Sequence, residues 1–220
     1  MSFRLRPFFA CLCAISILCA PAVAFQSPLS EESVRDAYFL GQRRDESMAR
    51  FLDKYTKHLP PPKTGPHIAS VTVLTPFAML VQQSTRHTMG YSAQQAQLDH
   101  RREGESVKVV VEIYFTESYG AFLTEPTGSR SGSPVGITQR SASFWRDFRV
   151  HVFDKDGAFI PLGSSGEPNF ICSYEGGCTL TGATLRFEFP AEPFSDWATI
   201  EVDPPAGDPV VLDFDLTSLR

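Results

Sequence analysis

From His67 to the C-terminus the apolar residues of this chain recur at every second position, and that period leaves few architectures open. Leu185, Phe187 and Phe189 alternate with Thr184, Arg186 and Glu188. Val107, Val109, Val111, Ile113 and Phe115 share one face of a single run. Phe148, Val150 and Val152 repeat the pattern, as do Ala198, Ile200 and Val202, and then Val210, Leu212 and Phe214. Successive side chains of a strand point to opposite faces, so each run reads as a strand with one side buried. The apolar runs Ile68–Leu74 and Phe77–Val81, separated by Thr75-Pro76, are read as two more. About seven strands with turn signals and no long helix among them predict antiparallel sheets packed face to face.

Asp154-Lys155-Asp156-Gly157 joins two of these strands, its Asp-Gly step supplying the positive φ of a tight hairpin. The alternating Val/Phe run, the Asp-x-Asp-Gly turn and the apolar restart at Phe159-Ile160 resemble hairpins of many immunoglobulin-like extracellular modules. The resemblance spans some 15 residues and is architectural, so it implies a fold and carries no activity. The expected fold is mainly β: an antiparallel immunoglobulin-like β-sandwich over 67–220, with an N-terminal helical arm.

That arm occupies 25–59, with helix expected over 27–59. Ser30 before Glu31-Glu32 is an N-cap followed by acids in the first turn. Gly41 is expected to divide the helix. Met48, Phe51, Leu52, Tyr55 and Leu59 then form one apolar stripe, suited to packing on the β domain or to docking a partner. The proline-rich residues 60–66 end the helix as an extended, semi-rigid linker.

The first 24 residues have a separate logic. Arg4 and Arg6 precede an apolar run, Phe8–Ala20, and then Pro21-Ala22-Val23-Ala24. A charged start, a short apolar core and a small-x-small end predict a signal peptide cut after Ala24, hence a secreted or periplasmic protein. Thirteen apolar residues fall short of the roughly 20 that span a bilayer, so no stable membrane span is expected after its removal. Losing Arg4 and Arg6 takes the net charge from −5 to −7, which disfavours nucleic acid as a partner.

Three of the five cysteines, Cys11, Cys13 and Cys19, lie in that leader. Cys172 and Cys178 remain, too widely spaced for a two-residue redox motif and without neighbouring ligands for zinc. In an oxidising compartment they are expected to form a local disulfide.

Catalytic chemistry finds little footing. Asp154, Asp156 and Gly157 resemble the opening of a calcium loop, yet Gly163 stands where the closing acid is required. His58, His67, His87, His100 and His151 show no ligand spacing. There is no Gly-x-Ser-x-Gly elbow, and Gly163-Ser164-Ser165-Gly166 reads as a loop with no helix after it. No catalytic, metal or cofactor residue is assigned.

Two polar stretches interrupt the sheets. One, 82–105, has room for a short helix over 92–102; the other, 117–143, is read as a long loop. Tyr119, Phe122, Phe144 and Trp145, in or beside the second, are expected either to form a recognition surface or to plug the end of the sandwich. The functional expectation is a non-catalytic envelope module acting by protein or glycan contact. A secreted hydrolase with its site in the long loops, and an assembly subunit docking through its N-terminal helix, are the alternatives.

Overall fold

A computed structural model describes residues 25–87, 90–126, 135–174, 176–192, 194 and 196–220. The expected leader, 1–24, lies outside the described residues.

Helix α1, Glu31–Arg43, begins where Ser30 Oγ accepts from the Ser33 N–H at 3.1 Å, with Glu31 and Glu32 at its positive end. It runs straight through Gly41, contrary to the expected break. A Cβ there would lie 2.4 Å from the carbonyl oxygen of Val81, so this glycine serves close helix contact. The break falls instead at left-handed Arg44, φ 51°. Asp45 then caps α2, Glu46–Asp53.

The helix expected to reach residue 59 therefore stops at 53. Residues Thr56–His58 form β1, paired antiparallel with β2, His67–Leu74. The apolar stripe packs within the chain: Tyr55 is buried, and Phe51 and Leu52 lie against its two apolar clusters.

The run Phe77–Val81, expected as a strand, lies in helix α3, Pro76–Arg86. Thr75 caps it by accepting from the Ala78 N–H, and Pro76 occupies the first turn, where its missing donor costs nothing. Helix α4, Ala93–Glu103, starts at its cap Ser92, within the polar stretch given room for one. Helices α1, α3 and α4 enclose a small apolar cluster that includes Val34, Ala37, Phe77, Leu80, Val81 and Ala96.

The remainder is mainly β and antiparallel. The strands are β3 (Ser106–Tyr114), β4 (Phe122–Pro126), β5 (Val135–Gln139), β6 (Arg149–Asp154), β7 (Gly157–Ala158), β8 (Gly163–Cys172), β9 (Cys178–Pro190), β10 (Trp197–Asp203) and β11 (Val210–Asp215). One sheet has the order β1-β2-β3-β9-β8 and a second β11-β10-β6-β7, while β4 and β5 pair apart from both. Thus the long loop expected over 117–143 contains a hairpin. Val107, Val109, Val111, Ile113, Leu185 and Phe189 of the first sheet share one apolar cluster with Val152, Ala198, Ile200, Val202 and Phe214 of the second. Trp197 heads β10 with 55% of its surface exposed.

Asp154 Oδ1 accepts from the N–H groups of Asp156 and Gly157, closing the β6–β7 hairpin where the Asp-Gly turn was expected. Cys172 and Cys178 face each other across β8 and β9 with their sulfurs at bonding distance.

Candidate functional site

Strand β8 lies at the end of its sheet, and among the described residues β9 is its only strand neighbour. Its other side offers backbone N–H and C=O groups to an incoming chain. The sequence Gly163-Ser164-Ser165-Gly166, expected as a loop, is the start of this strand. Its small side chains leave the backbone uncovered. Glu167 and Pro168 follow, a charge and a residue without N–H, both of which discourage pairing beyond that point. The accessible edge is therefore short and centred on Ser164 and Ser165.

A cavity flanks each face of this edge. Register places Ser164 opposite Phe187 and Gly166 opposite Leu185, on the face turned toward the core. There a cavity of about 330 Å³ is lined by Trp145, Arg146, Phe148, Leu185 and Phe187 with the two serines. Gly163 opposite Glu188, and Ser165 opposite Arg186, belong to the outer face. There a cavity of about 260 Å³ is lined by Lys108, Arg186 and Glu188 together with Gly163, Ser164, Ser165 and Phe187. Phe187 borders both cavities; the inner one adds Trp145 and Phe148 beside Arg146, the outer one three charged side chains.

Trp145 builds the aromatic side. It sits in a 3-10 turn, Phe144–Asp147, that turns back over β8. Its indole covers Gly166 so closely that a Cβ on that residue would lie 2.3 Å from Cδ2. The Arg146 guanidinium stands 5.3 Å from the indole centre. On the outer face Arg186 pairs with Glu167 at 3.2 Å, and Glu188 accepts from Ser106 Oγ at 2.6 Å.

The four residues expected to form a recognition surface are not brought together. Tyr119 and Phe144 are buried, with rings 6.4 Å apart, in a cluster with Phe115 and Phe148. Arg140 covers Tyr119 at 3.7 Å. The Tyr119 hydroxyl is buried without a hydrogen-bond partner, and burial pushes its pKa up. Phe122 is 60% exposed on the separate β4–β5 pair, and of the four only Trp145 borders a β8 cavity, the inner one. Ser164 and Ser165 carried no sequence signal, because a run of small polar residues has no apolar alternation to read; Lys108 and Arg186 occupy polar positions of the legible strands β3 and β9, where nothing in the sequence set them apart.

A third cavity, about 450 Å³, lies between residues 60–66 and the loop 204–209, and most of its lining is proline and aliphatic. Elsewhere Glu105 lies between Ser27 Oγ, which donates to it, and His100 Nε2 at 3.1 Å. An acyl-transfer triad needs the imidazole between hydroxyl and acid; here the acid is central, and the imidazole meets the carboxylate rather than the hydroxyl. Among the described residues, no three His, Cys, Asp or Glu side chains converge as a metal site, and no helix is long and apolar enough to cross a membrane. In comparison with known proteins, the chain matches no family model and no curated sequence.

Proposed function

We propose that this protein is an exported, non-catalytic envelope module that captures an extended polypeptide along the β8 edge. The observation that carries the reading is the pair of cavities on opposite faces of one strand segment whose outer edge has no strand neighbour among the described residues. A peptide added to a sheet edge gains main-chain hydrogen bonds, and its side chains point alternately to the two faces. Such a peptide would place one side chain beside Trp145 and Phe148, and the next beside Lys108 and Arg186.

Export is supported by the charged start, apolar run and small-x-small end of residues 1–24. The sulfurs of Cys172 and Cys178 at bonding distance suit the same compartment. An immunoglobulin-like sandwich with a helical arm is supported by strand order: β2-β3-β9-β8 and β11-β10-β6-β7 follow the immunoglobulin sequence A-B-E-D and G-F-C-C′. Helices α3 and α4 replace the usual turn between the first two strands. Because the α2 stripe packs within the chain, the β8 edge is the better docking element.

The test is selection of random heptapeptides on immobilised residues 25–220. Enriched peptides are expected to alternate an apolar or aromatic side chain with a polar or charged one, and to bind Trp145→Ala about tenfold more weakly or worse. A selection with no common alternation, or binding untouched by Trp145→Ala, contradicts the reading.

A further inference from the structure

On the outer face of the β8 edge, register sets two opposite charges side by side. Gly163 stands opposite Glu188, and Ser165 opposite Arg186. All four border the same cavity of about 260 Å³. Neighbouring strands lie about 4.8 Å apart, so a chain added beyond β8 runs about 10 Å from β9. A large side chain on β8 would screen β9 from it. Gly163 has no side chain and Ser165 a short one, so Glu188 and Arg186 face the added chain across them. The intervening pair, Ser164 opposite Phe187, belongs to the inner face, where Trp145 and Phe148 wall the other cavity.

Neither charge is fully engaged within the fold. Arg186 Nη1 meets Glu167 at 3.2 Å, and a guanidinium has five donors to share. Glu188 Oε1 accepts from Ser106 Oγ at 2.6 Å, while among the described residues its second oxygen has no hydrogen bond. Lys108 stands opposite Glu188 on β3, yet among the described residues it makes no ion pair. The two charges differ in sign and sit two residues apart on β9, so this surface distinguishes one end of a bound strand from the other.

We infer that the edge selects its partner by charge order: an acidic side chain opposite Ser165 toward Arg186, an aromatic one opposite Ser164, and a basic one opposite Gly163 toward Glu188. This rests on the reading of β8 as a capturing edge and adds which strand it takes. Among the described residues every strand pair in this sheet is antiparallel, the arrangement slightly more stable per residue. An antiparallel partner runs from Ser165 toward Gly163. Its order from N- to C-terminus is therefore acid, aromatic, base. The reverse order brings the acid to Glu188 and the base to Arg186, where like charges repel.

The experiment measures, by fluorescence anisotropy, the binding of three labelled heptapeptides to residues 25–220, which hold every described element. They are Thr-Val-Glu-Trp-Lys-Val-Thr, the charge-exchanged Thr-Val-Lys-Trp-Glu-Val-Thr, and the uncharged Thr-Val-Ser-Trp-Ser-Val-Thr. The first two share composition and net charge, so only order separates them. An exposed ion pair changes affinity by a factor of up to about 5. The acid-first peptide is expected to bind about fivefold to tenfold more tightly than the base-first one, with the uncharged peptide between them. The difference is expected to shrink in about 1 M salt. Arg186→Glu combined with Glu188→Arg is expected to invert the preference. Should that variant not fold, Arg186→Gln alone is expected to reduce the preference to about twofold. Equal affinities for the two charged peptides overturn the charge-order inference and leave the edge reading standing. Tighter binding of the base-first peptide overturns the inferred direction. Binding of none of the three overturns the edge reading, and the inference with it.

Discussion

The Trp145 indole lies over Gly166 with no room for a side chain between them, joining the 3-10 turn to the edge strand 21 residues later. Gly166→Ala must displace either the ring or the strand. Overpacking of this kind costs typically about 1–3 kcal/mol. A lower Tm and a shifted tryptophan emission are expected, together with weaker peptide capture, since the displaced ring is a wall of the aromatic cavity. Unchanged emission would mean that the ring does not rest on Gly166.

Gly41→Ala sets two effects of opposite sign against each other. Alanine raises intrinsic helix stability by about 1 kcal/mol over glycine. Here its Cβ would also sit 2.4 Å from the Val81 carbonyl oxygen, a backbone atom that cannot rotate away. Separating α1 from α3 disturbs the whole helical cluster, so net destabilisation is expected in urea unfolding; a net gain would contradict the close contact.

Three tyrosines make stability fall at high pH. Burial raises the pKa of Tyr55 and Tyr119, and burial with the neighbouring Asp99 carboxylate pushes Tyr91 up to about 12. The unfolded chain loses these protons near pH 10, whereas the folded chain keeps them longer. Bound protons then favour the folded state, so stability is intact below about pH 10 and falls as pH rises above it. Chemical denaturation at pH 9, 10 and 11 should show a declining midpoint, less steep in Tyr119→Phe.

Cys172 and Cys178 close a hairpin beyond the last β3–β9 register pair, Tyr114 with Gly182. Replacing both by serine is expected to cost about 2 kcal/mol on the chain-entropy account of so short a loop. Residues 163–166 lie at the far end of β8, so peptide capture should survive. Loss of capture with retained fold would place recognition at the hairpin tip.

The sequence made the long half-buried strands legible because their alternation is a direct imprint of burial: β3, β6, β9, β10 and β11 all follow it. Two kinds of element were hidden. Phe77–Val81 is apolar almost throughout, a pattern that helix and strand share, and the deciding signal was the capping Thr75-Pro76 pair before it. Strand β8 was hidden because its first residues, Gly163 to Gly166, are small and lack a period. The same property makes its edge accessible, so the candidate site fell where pattern reading is blind. Trp145 was visible as an aromatic beside a loop, but its seat on Gly166 depends on a fold that brings the 3-10 turn back over the strand.

The most direct measurement is amide hydrogen exchange of residues 25–220 with and without a selected heptapeptide. Edge capture predicts new protection at alternate amides of residues 163–166, those whose N–H groups point away from β9, with the cavity bordered by residues 60–66 and 204–209 unchanged. Protection confined to that cavity, or to the hairpin tip, with none on β8, would contradict it.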